Sequence, residues 1–275
     1  MKSVFLTGAT GGLGSAVVRA LSERGYTVFA AGTNREKLER LGSLQGVVPV
    51  WADVTDMASV EKACETVRSY TDRLYAVINL AGLTGFCSMV EGDCVAATEK
   101  LLDINVTGMV RVNRVFFELV RAGGGRIINC SSEAGWGKSQ PFAAPYYLSK
   151  RAVEAYNDSL RRELMFLGVP VVKIQPGPFK TNLMGDISNG FEKTLSETAY
   201  YGDVLSRMKP MMTAEISHGS NPELLAKVMI KALEAKRPRL CYRVGTGKLT
   251  AILAWLPEGA VDAMYRFYMS RRKPA

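Results

Sequence analysis

The sequence predicts an α/β fold, a doubly wound parallel sheet with helices on both faces, and three observations carry that prediction. Short apolar runs alternate with longer amphipathic ones over most of the 275 residues. The short runs are apolar throughout, as strands covered on both faces are. A glycine-rich turn, Thr7-Gly8-Ala9-Thr10-Gly11-Gly12-Leu13-Gly14, stands directly after the first of them. Parallel strands require crossover helices, and sheets of this kind hold ligands at the carboxyl ends of their strands.

The elements follow in order. Val4-Phe5-Leu6 is the first strand, and the amphipathic run Ala16 to Leu21 is the helix beyond the glycine turn. Val28 to Ala31 and Val47 to Ala52 are the next strands, and Val60 to Val67 the next helix. Tyr75-Ala76-Val77-Ile78 is followed by one helical stretch over about 101–120, then by the strand Arg126-Ile127-Ile128-Asn129. A helix is expected from about Tyr146 to Leu167 and a strand from Val169 to Ile174. From about 179 to 221 the rhythm fails, which reads as a mobile segment covering the site. Asn221 as N-cap, Pro222 at the first helical position and Glu223 in the first turn open a helix to about Ala235. Arg239 to Val244 reads as an edge strand. The whole of 1–275 is expected to form one domain, with a carboxyl-terminal extension from about 245.

Composition narrows the function classes. With 47% hydrophobic and 22% charged residues the chain is globular rather than disordered. The amino terminus meets the glycine turn at once, with no stretch that reads as a signal peptide, so a cytoplasmic location is expected. The 5 cysteines are scattered and odd in number, reading as reduced thiols. With a single histidine, His218, no metal site is expected. The net charge of +9, concentrated late in the chain, suits anionic ligands or surfaces, but no nucleic-acid motif accompanies it.

Tyr146 and Lys150 stand four apart in Pro145-Tyr146-Tyr147-Leu148-Ser149-Lys150, so a phenol and an ammonium share one helix face. A cation ~5 Å away at an effective dielectric of ~20 is worth about 3 kcal/mol, enough to bring a phenol down from its usual ~10 towards physiological pH. The glycine turn, lying between a strand and a helix amino terminus, allows backbone N–H groups to approach a pyrophosphate.

Further motifs stand at the strand ends: Asp53-Val54, Asn79-Leu80-Ala81-Gly82, Asn105-Val106-Thr107-Gly108, Ile128-Asn129-Cys130-Ser131-Ser132 and Pro176-Gly177-Pro178-Phe179-Lys180-Thr181. In this order, with the Thr-Gly-x-x-x-Gly-x-Gly turn and Tyr-x-x-x-Lys, they resemble the short-chain dehydrogenase/reductase family and its Rossmann-type fold. The resemblance spans most of the chain. It implies a nicotinamide cofactor held by Gly8, Thr10, Gly12, Leu13 and Gly14, by Asp53 and Val54 at the adenine ring, by Asn79, Ala81 and Gly82, and by Pro176, Gly177 and Thr181, with Tyr146 and Lys150 at the ribose. It also implies a catalytic tetrad of Asn105, Ser132, Tyr146 and Lys150. Leu80 replaces the family's second asparagine. Ser132 precedes Tyr146 by fourteen residues, one more than is commonest, so the loop between them holds an insertion and Ser131 is the alternative.

Each residue taken singly has another use: Tyr146 and Lys150 as an exposed pair, Ser132 or Asp53 as a cap or turn former, Asn105 as a partner for helix backbone. Their joint order supports the catalytic reading. The rivals are a dinucleotide-sensing protein without catalysis, whose mark would be loss of the tyrosine or lysine, and a sugar-nucleotide epimerase or dehydratase, whose larger carboxyl-terminal domain and glycine spacing are not found here.

After the second strand the chain reads Gly32-Thr33-Asn34-Arg35, with no carboxylate to bind a ribose 2′-hydroxyl and with donors for a phosphate, so NADP is expected ahead of NAD. Arg35 alternatively points to solvent. Met184, Phe191, Met208, Met211 and Met212 read either as an adaptable apolar substrate wall or as core. The run from Lys236 to Gly245 resembles the branch of 17β-hydroxysteroid and retinol dehydrogenases, implying a small hydrophobic alcohol or carbonyl substrate. The family resemblance implies a homodimer or homotetramer. The tail interleaves Leu249, Ile252, Leu253, Trp255, Leu256, Tyr265, Phe267 and Tyr268 with basic residues, as an interfacial membrane helix would, or as a helix docked beside the site would.

Overall fold

Seven parallel strands in the order β3-β2-β1-β4-β5-β6-β7 form the centre of the computed structural model, which describes residues 2–217 and 219–270. They are β1 (Ser3–Thr7), β2 (Thr27–Gly32), β3 (Val47–Trp51), β4 (Ala76–Asn79), β5 (Arg126–Cys130), β6 (Val171–Pro176) and β7 (Cys241–Val244). β1, β4 and β5 are buried almost throughout, because helices cover both faces. The strand order reverses between β1 and β4, and there the carboxyl ends part to leave a crevice.

On one face lie α1 (Gly12–Ser22), α2 (Arg35–Gly42) and α9 (Pro222–Glu234), with Val17, Leu21, Leu41, Met229 and Leu233 packed on Leu6, Val28 and Ile128. On the other lie α3 (Met57–Arg68), α5 (Gly108–Ala122) and α6 (Ala144–Leu164). Phe116 of α5 stacks on Phe5 of β1 with centroids 3.9 Å apart, and both are fully buried. Truncating such a ring costs about 3–5 kcal/mol.

Two differences from the sequence reading concern the site. The helical stretch expected over 101–120 is present but carries a π-helical turn, Asp103–Thr107, between α4 (Cys94–Leu102) and α5. A π turn widens the helix by one residue and re-aims the side chain it carries, here Asn105. The stretch expected to be irregular is two helices, α7 (Asn182–Glu197) and α8 (Gly202–Ser217). Gly185, Gly190 and the internal Pro210 obscure their period. Phe191, Leu205 and Met208 bury their side chains against Phe86 in a separate small core.

The extension forms α10 (Lys248–Trp255) and α11 (Glu258–Ser270). Glu258 pairs with Lys138 at 2.6 Å, Met269 packs on the α7/α8 core, and its carbonyl accepts from Arg207. Ile252, Trp255, Phe267 and Tyr268 stay exposed, Trp255 to 90%. Among the described residues no helix is long and apolar enough to cross a membrane. His218 and the basic residues Arg271, Arg272 and Lys273 lie outside the described residues.

Candidate active site

The glycine turn is shaped by contacts that only glycine permits. Gly8 has φ +70°, and a Cβ on it would stand 2.7 Å from the Ala81 nitrogen. One on Gly14 would lie 2.1 Å from the Gly8 carbonyl oxygen, and one on Gly12 would meet Thr181 Cγ2 at 2.8 Å. The turn is therefore pressed against the ends of β4 and β6. It opens α1 with no side-chain cap, leaving first-turn N–H groups for a ligand. The Thr7 hydroxyl accepts from both Leu80 N and Ala81 N at 3.2 Å, tying β1 to β4 across the crevice.

A cleft of about 710 Å³ runs along this turn, lined by Gly8, Thr10, Gly12, Leu13, Gly14, Asp53, Val54, Ala81, Gly82 and Thr181 among others. Asp53 keeps its carboxylate in place by accepting from Thr55 N and Oγ1 at 2.9 and 2.7 Å. At the β2 end the wall is made by Gly32, Thr33 and Lys37, and Lys37 carried no sequence signal. Two expected donors have other duties there. Asn34 Oδ1 accepts from Lys37 N at 2.9 Å and caps α2, while the Arg35 guanidinium lies 5.5 Å from the Trp51 ring. Asn79 also differs from expectation. It is buried beneath the cleft, donating to Asn113 Oδ1 at 2.6 Å and Asn129 Oδ1 at 3.0 Å. Asn129 donates in turn to Asn157 at 3.1 Å, so asparagines from β4, β5, α5 and α6 lock these elements together rather than facing a ligand.

Beside this cleft lies a second cavity, and the four residues of the expected tetrad meet at their boundary. Tyr146, Lys150 and Ser132 line it, while Asn105 is fully buried behind. Pro145 near the start of α6 and the i, i+4 spacing set Tyr146 and Lys150 on one face. Lys150 Nζ sits 5.7 Å from the Tyr146 ring centre and donates to the Cys130 carbonyl at 3.4 Å. Ser132 caps the short turn Glu133–Gly135, its Oγ accepting from Ala134 N at 3.2 Å, and its hydroxyl is near enough to Tyr146 to favour the phenolate. Ser131 Oγ is instead buried without a described partner, so Ser132 is the serine that reaches the phenol.

Asn105 is held by three bonds. Its Oδ1 accepts from Leu83 N at 2.7 Å, and its Nδ2 donates to Leu83 O and to Ser149 Oγ, both at 2.9 Å. Ser149 immediately precedes Lys150. The π turn thus clamps one wall of the cavity to the helix that carries the lysine.

The electrostatics correct the Coulomb argument made from spacing. Burial pushes the Tyr146 phenol up to about 12, and the Ser132 hydroxyl opposes that rise without overcoming it. Burial also pulls Lys150 below its ordinary value. The spacing argument counted attraction between phenolate and ammonium but not the cost of removing both from water.

Much of the remaining wall is apolar, with Leu83, Phe86, Phe179, Leu183, Met184 and Ile187, and Thr84, Glu133 and Gln140 add polar groups. Met184 and Met212 reach it, whereas Phe191 and Met208 are core and Met211 is exposed. Pro176, Gly177 and Thr181 close the side towards the cleft. In the loop between Ser132 and Tyr146, Phe142 adopts φ 63°, a left-handed conformation costly for a bulky side chain, and packs on Phe86 and Tyr201.

The short chain dehydrogenase family model matches residues 2–191. Retinol dehydrogenase 16 of Rattus norvegicus is 31% identical over 99% of this chain and 90% of its own length. The 17-beta-hydroxysteroid dehydrogenase type 6 of the same species is 33% identical over 100% and 90%. Among solved structures, a short chain dehydrogenase/reductase from Burkholderia phymatum in complex with NAD superposes with a TM-score of 0.77 at 20% identity, over 96% of this chain and 95% of that one. An alcohol dehydrogenase from Thermococcus sibiricus, complexed with 5-hydroxy-NADP, gives 0.71 at 19% identity over 90% and 97%. These two show the shared fold. The chain is an oxidoreductase of the short-chain dehydrogenase/reductase family, on the branch that contains the retinol and 17β-hydroxysteroid dehydrogenases.

Proposed function

We propose that the protein is an NADP(H)-dependent oxidoreductase that interconverts a small hydrophobic alcohol with its ketone or aldehyde. The observation that carries this reading is Tyr146, gathered with Ser132 and Lys150 on the wall of a largely apolar cavity beside the cleft along the glycine turn. The cleft suits a dinucleotide: uncapped N–H groups at α1 for a pyrophosphate, and Asp53 and Val54 further along for a base. When bound, the nicotinamide would supply or take up the hydride.

The residues of this chain manage the proton. In carbonyl reduction Tyr146 Oη donates it to the oxygen that becomes the alcohol, and in oxidation the phenolate takes it back. Ser132 Oγ hydrogen-bonds the same oxygen and fixes its approach. The Lys150 ammonium steadies the phenolate and would hold the nicotinamide ribose when the cofactor is bound. Asn105 holds the wall and α6 in register. With its side chain already carrying three protein bonds, a water relay has only its remaining acceptor capacity to use.

Thr33 and Lys37 line the β2 end of the cleft while the neighbouring carboxylate, Glu36, pairs with Arg40 and does not line it, which favours a 2′-phosphate and hence NADP. Apolar walls favour a hydrophobic substrate, in keeping with relatives named for retinol and hydroxysteroids. The test is oxidation of NADPH and NADH in the presence of aliphatic, aromatic and steroidal ketones. NADPH consumption that disappears in Tyr146→Phe, with cofactor binding retained, is expected; equal turnover by Tyr146→Phe refutes the assigned acid.

We further propose a cytoplasmic protein that touches membranes peripherally through α10 and α11. Exposed Ile252, Trp255, Phe267 and Tyr268 beside Arg266 support this, since such side chains suit a lipid interface. Flotation with anionic liposomes should be lost when the chain ends near Gly245, and equal flotation of both forms sinks the idea. A homodimer or homotetramer, as the family resemblance implies, is measured by light scattering.

A further inference from the structure

We propose that Glu154 is a positioning residue: its carboxylate, one helical turn beyond Lys150, keeps that buried ammonium charged and fixed beside Tyr146. The inference rests on the roles given above to Tyr146 and Lys150. On α6 the residues Tyr146, Lys150, Glu154 and Asp158 follow at successive i, i+4 steps and so share one face.

Lys150 is 6% exposed, and its described hydrogen bond, to the Cys130 carbonyl, is long at 3.4 Å. An ammonium so placed tends to neutralise. Burial does pull Lys150 down, and the Glu154 carboxylate opposes that; Cys130 acts on Lys150 only once its own thiol, pushed up to about 11 by burial, ionises.

Glu154 is held firmly for this task. Oε1 accepts from Gln175 Nε2 at 2.8 Å, and Oε2 pairs with Lys173 Nζ at 2.8 Å. Lys173 is shared with Asp158 at 3.0 Å. With Arg243 close by, the two carboxylates and two cations of this cluster balance, and Glu154 is the carboxylate of the cluster that follows Lys150 by one turn of α6. From β7, Arg243 and Cys241 donate to Gln175 Oε1, and Arg243 lies 3.9 Å over Trp136. Gly135 leaves the space that the carboxylate needs: a Cβ there would stand 2.7 Å from Glu154 Cγ and 2.7 Å from Ser131 Oγ. The carboxylate is therefore pinned directly behind the turn that presents Ser132. Lys150 itself is approached by Cys130 from β5, by Asn105 across Gly82, and by Tyr146 and Glu154 along α6. Glu133 adds a negative charge near Tyr146.

The test reads Lys150 directly. In protein carrying ¹³C-lysine, the Cε resonance of Lys150, assigned by its loss in Lys150→Arg, is titrated in wild type, Glu154→Gln and Glu154→Asp. Asp158 still pairs with Lys173 in Glu154→Gln, which protects the fold, and Glu154→Asp keeps the charge as a second variant. The midpoint is expected to fall by about one pH unit in Glu154→Gln and by less than half that in Glu154→Asp. The alkaline limit of alcohol oxidation should fall with it. An unmoved midpoint in Glu154→Gln overturns the proposal, as does an equal fall in both variants. A midpoint that falls as expected while Tyr146→Phe keeps full turnover supports Glu154 and overturns the proposed function instead.

Discussion

Replacing Asn105 with alanine should unclamp the site and lower stability together. The side chain is fully buried and its three bonds, at 2.7, 2.9 and 2.9 Å, go to both backbone groups of Leu83 and to Ser149. Alanine leaves the Leu83 N–H and C=O without those partners, and an unsatisfied buried group costs roughly 1–3 kcal/mol. Ser149 keeps its bond to the Tyr146 carbonyl at 2.8 Å, so its loss is smaller. Leu83 lies at the cavity wall, where water relieves part of the cost. The expected total is about 3 kcal/mol, which in a domain of this size lowers Tm by about 6 °C. Turnover should fall further than stability alone explains, because Leu83 and α6 lose their common anchor. Calorimetry beside steady-state kinetics measures both. Asn105→Asp keeps an acceptor for Leu83 N–H but turns a second oxygen towards Leu83 O, so it should recover little. A Tm within about 1 °C of wild type for Asn105→Ala would refute the clamp.

Three other outcomes are expected. Gly14→Ala drives a Cβ against backbone 2.1 Å away, so the turn must shift, and dinucleotide affinity measured by calorimetry should fall at least tenfold; unchanged affinity would show that the turn yields freely. With Tyr146 held at about 12 by burial, the phenolate absorbance difference between wild type and Tyr146→Phe should be absent at about pH 9, and its appearance by about pH 8 would show that the nearby ammonium outweighs burial. Lys37→Glu places a carboxylate at the β2 end of the cleft and should shift the NADPH to NADH preference towards NADH by roughly tenfold or more; an unchanged ratio would remove Lys37 from cofactor choice.

The sequence disclosed those parts of the molecule whose demands are local. Gly8 and Gly14 advertise a turn because no side chain fits, and strands such as Ile127-Ile128 advertise burial on both faces. Tyr146 and Lys150 meet because a helix fixes their spacing. What stayed hidden depends on partners distant in the chain. Asn79 looked like a ligand residue, yet its partners are 34 and 50 positions away, in α5 and β5. The π turn at Asn105 has no side-chain signature, since it differs from an α-helix only in which carbonyl each N–H finds. Helices α7 and α8 earn their order by packing on Phe86 and Phe142, and their own glycines and proline argue against them. Lys37 reaches the cleft only because Asn34 stops β2 and turns the chain into α2.

The contact between Gly12 and Thr181 joins two events that the chemistry treats separately. Thr181 is the N-cap residue of α7, whose Leu183, Met184 and Ile187 line the cavity beside Tyr146, and its methyl group rests where a side chain on Gly12 would be. The start of α7 and the glycine turn therefore move only together. A dinucleotide seating itself against the turn sets the angle at which α7 begins, so the cofactor is expected to enter first and leave last, with the carbonyl compound exchanging while it stays in place.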